Sequence, residues 1–132
     1  MIVVDTNVVI RLLVRDDERQ WRAAQSLLER SPVVVLASVL MECEWVLRKV
    51  YQLKREQIHD GLSKLCGADG VAVEADAVLL KALDDYRAGC DLADAIHLRH
   101  AETLKADGFA TFDVGLRRRS DRRQPCIPVI AP

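Results

Sequence analysis

The chain has 132 residues, half of them hydrophobic, which fits one domain with a sizeable core and leaves little room for a second. Charged residues of both signs make up 30%, and the longest apolar run, Pro32 to Met41, is interrupted by Ser38, so no membrane span is expected. A formal net charge of −1 excludes global attraction to a polyanion; nucleic acid would have to be held by a local basic patch.

The start, Met1-Ile2-Val3-Val4, carries no basic segment or small-residue cleavage site, so a cytoplasmic protein is expected. Cys43, Cys66, Cys90 and Cys126 form no C-x-x-C pair, which argues against a zinc ribbon or thioredoxin-like motif. Small buried thiols in a reducing compartment are the simpler reading.

Ile2 to Val4 is predicted to be a short buried strand ending at Asp5-Thr6-Asn7, followed by a helix over about Asn7 to Arg15. A second helix runs from near Asp17 to Arg30, with Trp21, Ala24, Leu27 and Leu28 as its apolar stripe, and Ser31-Pro32 ends it. Val33 to Leu36 is a second buried strand, and Ser38 is placed as the cap of a helix reaching roughly Gln52. Another helix covers Arg55 to Cys66, and Gly67-Ala68-Asp69-Gly70 turns the chain into a third strand, Val71 to Val73. Ala75 to Arg87 is helical, Gly89 breaks the pattern, and Asp91 opens a helix ending near Lys105. Gly108 to Ala110 is a fourth strand, Val114 to Arg119 a last helix, and Cys126 to Ile130 an edge strand flanked or interrupted by Pro125 and Pro128.

Short apolar strands separated by helices imply βαβ units and a parallel sheet covered on both faces. Right-handed crossovers bring the strand C-terminal ends to one edge, where such folds place their chemistry. Asp5 follows the first strand, Glu42 lies one turn into the helix after the second, Asp94 lies in the first turn of its helix, and Asp113 follows the fourth strand. Asp5 and Asp113 can equally serve as helix caps, and Asp91 with Asp94 as a capping arrangement. Glu42 is more informative. On the helical projection Val39, Leu40, Cys43, Val46, Leu47 and Val50 share the core face, and Glu44 lies beyond one edge with Arg48 four residues on. Glu42 lies at the other edge and has no basic partner on its helix.

Carboxylates gathered at one rim repel, by about 4 kcal/mol for two unit charges 4 Å apart at an effective dielectric near 20. A hard divalent cation relieves that repulsion, and all-oxygen ligation favours Mg²⁺ or Mn²⁺ over zinc. His97 and His100 are three apart, but no third soft ligand stands at a useful spacing, so they read as surface or packed histidines.

Val3-Val4-Asp5-Thr6-Asn7-Val8, Glu42-Cys43-Glu44-Trp45-Val46-Leu47-Arg48, Asp91-Leu92-Ala93-Asp94-Ala95 and Thr111-Phe112-Asp113 together resemble a PIN domain, and within that group the VapC toxins of toxin–antitoxin pairs. Each piece is short, but the ordered set spans nearly the whole chain. The resemblance implies a three-layer α/β/α PIN-like fold with a short, mostly parallel central sheet, residues 1–132 forming one PIN domain. It also implies an endoribonuclease in which Asp5, Glu42, Asp94 and Asp113 hold Mg²⁺ or Mn²⁺, with Asp91, Thr6, Asn7 and Thr111 in support. A homodimer held inactive by a cognate antitoxin protein, whose C-terminal tail lies near the acids, is implied as well.

Arg117, Arg118, Arg119, Arg122 and Arg123 follow Asp113 closely and are candidates for contacts to RNA phosphates, against the plainer reading of a solvated surface segment. Trp21, Trp45 and Tyr51 are read as core or dimer-contact residues. A phosphatase of the haloacid dehalogenase type needs a second Asp two residues after the first, where Asn7 stands. A phosphorylatable receiver domain needs an acid at the end of a later strand, and Ala37-Ser38 follows the second. The remaining rival is a PIN-like module that binds RNA or a protein partner without catalysis.

Overall fold

Runs rich in Val and Ile suit a pleated surface, whereas runs rich in Ala, Leu, Glu and Arg keep most of their rotamer freedom in a helix. The chain alternates between the two. The computed structural model describes residues 1–123 and 127–132, with side chains described through residue 119 and again from 127. Among the described residues the order is β1 (Ile2–Val3), α1 (Thr6–Leu13), α2 (Glu18–Arg30), β2 (Val33–Val35), α3 (Ala37–Lys49), α4 (Arg55–Cys66), β3 (Val71–Val73), α5 (Asp76–Arg87), α6 (Leu92–Thr103), β4 (Phe109–Ala110), α7 (Val114–Arg123) and β5 (Val129–Ile130). The α/β class expected from the sequence is the one observed. Cys126 and the first part of the expected edge strand lie outside the described residues, as do the side chains of Arg122 and Arg123. No helix among the described residues is long and apolar enough to cross a membrane.

The strands form two hydrogen-bonded sheets, β1-β2-β3 and β4-β5, with every pairing parallel. The chain divides into two compact units, Met1–Leu80 and Lys81–Pro132, and the division falls inside α5.

In the first unit β2 is central: Val33 pairs with both Ile2 and Val71, and Val33 and Val35 are buried. Parallel pairing puts the C-terminal ends of all three strands on one edge. The Val4 N–H donates to the Val34 carbonyl at 3.1 Å and the Glu74 N–H to the Val35 carbonyl at 2.9 Å, so Asp5 and Glu74 leave the sheet at that same edge. Asp17 caps α2 by accepting the Gln20 N–H at 3.0 Å, as its N-cap chemistry predicts. The α2 stripe is only partly covered: Ala24 is buried, while Trp21, Leu27 and Leu28 are half-buried. The Arg15 guanidinium lies 3.6 Å from the centroid of the Trp21 ring, a cation–π contact worth about 0.5–1 kcal/mol at an exposed site.

Helix α3 differs from its sequence reading in three respects. Its N-cap is Leu36, which makes no side-chain cap bond, so Ser38 lies inside the helix and does not cap it. Glu74 supplies the acceptor from outside, its Oε2 receiving the Ala37 N–H at 3.3 Å. The buried face is also rotated. Val39, Leu40, Cys43 and Leu47 are buried as expected, but Glu44 is buried too, at 5% exposure, while Val46 is half-buried and Val50 is 63% exposed. Arg48 reaches Glu44 Oε1 at 2.7 Å, which makes that burial tolerable; an unpaired carboxylate would not stay there. Trp45 is 52% exposed and is not a core residue.

In the second unit β4 and β5 pair through Phe109 with Val129 and Ala110 with Ile130. Arg99 on α6 holds the Asp85 carboxylate at 2.7 and 2.9 Å and also bonds Glu102, fastening the end of α5 to α6. Leu92, Ala95 and Ile96 form the buried side of α6, and Leu116 that of α7.

Candidate active site

The end of β1 delivers Asp5 as the N-cap of α1, where its Oδ1 accepts the Thr6 N–H at 2.8 Å. Thr6 is buried, and its hydroxyl donates to Glu42 Oε2 at 2.9 Å. One threonine therefore holds two carboxylates from α1 and α3. The thiol of Cys43 lies beneath them, 4.0 Å from the Thr6 carbonyl. Burial, then the charges of Glu42 and Asp5, push that thiol up to about 12.

In the second unit Asp91 caps α6, its Oδ1 accepting the Asp94 N–H at 3.0 Å. Asp113 caps α7 in the same manner, with Oδ1 accepting the Leu116 N–H at 3.0 Å, while its own N–H donates to the Thr111 hydroxyl at 3.0 Å. Asp94 is half-buried, and its carboxyl is held above the ordinary aspartate value, first by burial and then by the charges of Asp91 and Asp113. His97 and Arg119 pull in the opposite direction.

The capping roles weighed at the level of sequence are thus real for Asp5, Asp91 and Asp113, but they occupy one oxygen each. Asp5 Oδ2, Glu42 Oε1 and Asp113 Oδ2 have no hydrogen bond among the described residues, nor does either oxygen of Asp94, and none of the four residues forms an ion pair there. Carboxylates left with open lone pairs and no guanidinium are suited to a cation or a water.

Among the described residues no three His, Cys, Asp or Glu side chains are grouped as a ready metal cage. Mg²⁺ is ordinarily held by one or two carboxylates and keeps several waters. Asp5 and Glu42 offer oxygen atoms alone, a chemistry that suits Mg²⁺ or Mn²⁺, whereas zinc would want nitrogen or sulfur.

The sequence reading does not single out Glu74 or Arg11, and it gives Tyr51 another role. Glu74 follows β3 as Asp5 follows β1, and that parallel was the available signal. Arg11 and Tyr51 line, with Asp5, Thr6 and Glu42, a cleft of about 310 Å³ in the first unit. Arg11 stands one turn after Asn7, which marks its face, and Tyr51, expected as a core or dimer-contact residue, lines the cleft. Of the arginines in the second unit, Arg117 is half-buried and Arg118 and Arg119 are exposed. Among the described residues Arg119 is the arginine whose charge lowers the Asp94 carboxyl. Gly115 leaves room there: a Cβ at that position would stand 3.2 Å from Asp113 Oδ1 and 3.6 Å from Arg119 Nη1.

The PIN domain model matches residues 2–121, and the chain belongs to the PIN-domain family. PIN domains are generally nucleases, hydrolases that typically use divalent metals and bind RNA. No curated protein and no solved structure matches the chain.

Proposed function

We propose that residues 1–132 work as a single PIN domain and form a Mg²⁺- or Mn²⁺-dependent endoribonuclease of the VapC toxin type. In this reading the protein is cytoplasmic, acts as a homodimer and is neutralised by a cognate antitoxin. Asp5, Glu42, Asp94 and Asp113 are its acidic quartet. The observation that supports the reading is that each of the four has a carboxyl oxygen with no hydrogen bond among the described residues, while Asp5 and Asp113 cap their helices, Asp91 holds the Asp94 N–H and Thr6 holds the Glu42 side chain.

A bound divalent cation would supply Lewis acidity toward the scissile phosphate and lower the pKa of a water. Asp5 and Asp94 would be its direct ligands, with Glu42 and Asp113 positioning water or a second ion. Thr6 fixes the rotamers of Asp5 and Glu42 from below, and Thr111 fixes the turn that presents Asp113. Asp91 sets the pose of Asp94 through its N–H.

The test is cleavage of single-stranded RNA with added Mg²⁺ or Mn²⁺, comparing the wild-type chain with Asp5→Asn. The substitution removes ligand charge at nearly constant shape, so cleavage should be lost while the folded far-UV signal is kept. Undiminished cleavage by a folded Asp5→Asn protein would sink the assignment.

A further inference from the structure

The rotation of α3 leaves Val46 and Val50 out of the core, and they follow Glu42 at intervals of four. Glu42, Val46 and Val50 therefore form one row of the helix, running about 12 Å from acid to open apolar surface. Ile10 of α1 lines the same cleft, and Arg11 and Tyr51 line it too. The volume of about 310 Å³ lies at the lower end of the range of roughly 300–1,000 Å³ that single small ligands occupy.

Arg11 is held from three sides. Its Nε donates to Gln20, and its Nη1 to Asp16 at 2.7 Å and to the Tyr51 hydroxyl at 3.2 Å; that hydroxyl in turn donates to Asp16 at 2.9 Å. Nη2 has no acceptor among the described residues. The guanidinium is thus ordered in advance with one donor group unspent, so an incoming phosphate oxygen would gain a charge-assisted bond without the cost of immobilising a side chain.

We propose that this cleft is a nucleotide subsite for single-stranded RNA. The base of a nucleotide beside the cut lies on the Val46–Val50 ridge next to Tyr51, and its phosphate accepts from Arg11 Nη2. Apolar and aromatic surface suits the π-face of any base, and a fixed arginine suits phosphate. The proposal rests on the nuclease reading for its substrate class, but it concerns binding and can fail separately.

The experiment measures fluorescence anisotropy of a labelled single-stranded oligoribonucleotide with the full chain in EDTA, where no metal-dependent cleavage occurs. Val50→Glu and Arg11→Lys are compared with Leu80→Glu, a charge placed at another exposed apolar position outside the cleft. Arg11→Lys keeps the charge facing Asp16 but lacks the second nitrogen. Val50→Glu and Arg11→Lys should each weaken binding about tenfold, and Leu80→Glu by less than twofold. Wild-type affinity in both cleft variants, equal weakening by Leu80→Glu, or no RNA binding by the wild-type chain would overturn the subsite. Cleft-dependent binding without cleavage in Mg²⁺ or Mn²⁺ would leave the subsite standing and remove the nuclease reading. Cleavage with KM and affinity unchanged in the cleft variants would do the reverse.

Discussion

The Thr6 hydroxyl donates to Glu42 Oε2 at 2.9 Å, joining the first turn of α1 to α3 across 36 positions of sequence. Because Thr6 also gives its N–H to Asp5, the two carboxylates are fixed relative to one another through a single buried residue. Thr6→Val keeps the shape and deletes the donor. Stability should fall by about 1 kcal/mol, the usual net value of one such bond. Cleavage should fall by at least about tenfold, as is common when groups behind a metal ligand are removed. Urea unfolding and RNA cleavage rates check the two arms, and unchanged cleavage would show that the hydroxyl does not position Glu42.

Asp94 carries a raised carboxyl value, caused mainly by burial and then by Asp91 and Asp113. A raised folded-state value means that the unfolded chain gives up its proton first as pH rises. Stability therefore declines from the ordinary value of 3.8 upward through the raised one. Asp94→Asn escapes that penalty. In EDTA at neutral pH the variant should melt above the wild-type chain, and the gap should close below pH 3.8, while cleavage is lost. A lower melting temperature at neutral pH would contradict the account.

Arg119 is the arginine whose charge reaches Asp94, with Gly115 keeping the space beside Asp113 open. If it meets a phosphate, Arg119→Gln should reduce the slope of log affinity against log salt by about 0.7 for single-stranded RNA. Arg118→Gln, at an exposed position with no such neighbour shown, serves as the comparison. An unaltered slope in Arg119→Gln would end the phosphate role.

The Cys43 thiol, pushed up to about 12 by burial and by Glu42 and Asp5, should be inert. At pH 8 only about one molecule in ten thousand carries the thiolate, which is the reactive form. Iodoacetamide labelling followed by peptide mass spectrometry should leave Cys43 unmodified until urea is added. Labelling in the native protein at the rate of a free thiol would show that it is not held beneath the acids.

The alternation of strand and helix was legible in the sequence because it depends on local patterns: β4 and β3 end within a residue of their expected limits, and α4 matches its own. Asp5, Asp91 and Asp113 were legible for the same reason, since an Asp that follows a strand or opens a helix meets nearby N–H groups. A helical projection says which residues share a face. It does not say which of two adjoining faces meets the core, and on α3 the neighbours covered Glu44 and left Val50 in the open. The Thr6–Glu42 bond, the Glu74 contact to α3 and the Arg11–Tyr51–Asp16 network join residues 35 to 40 positions apart. Pairings of that range depend on how elements pack, and no local period in the chain encodes them.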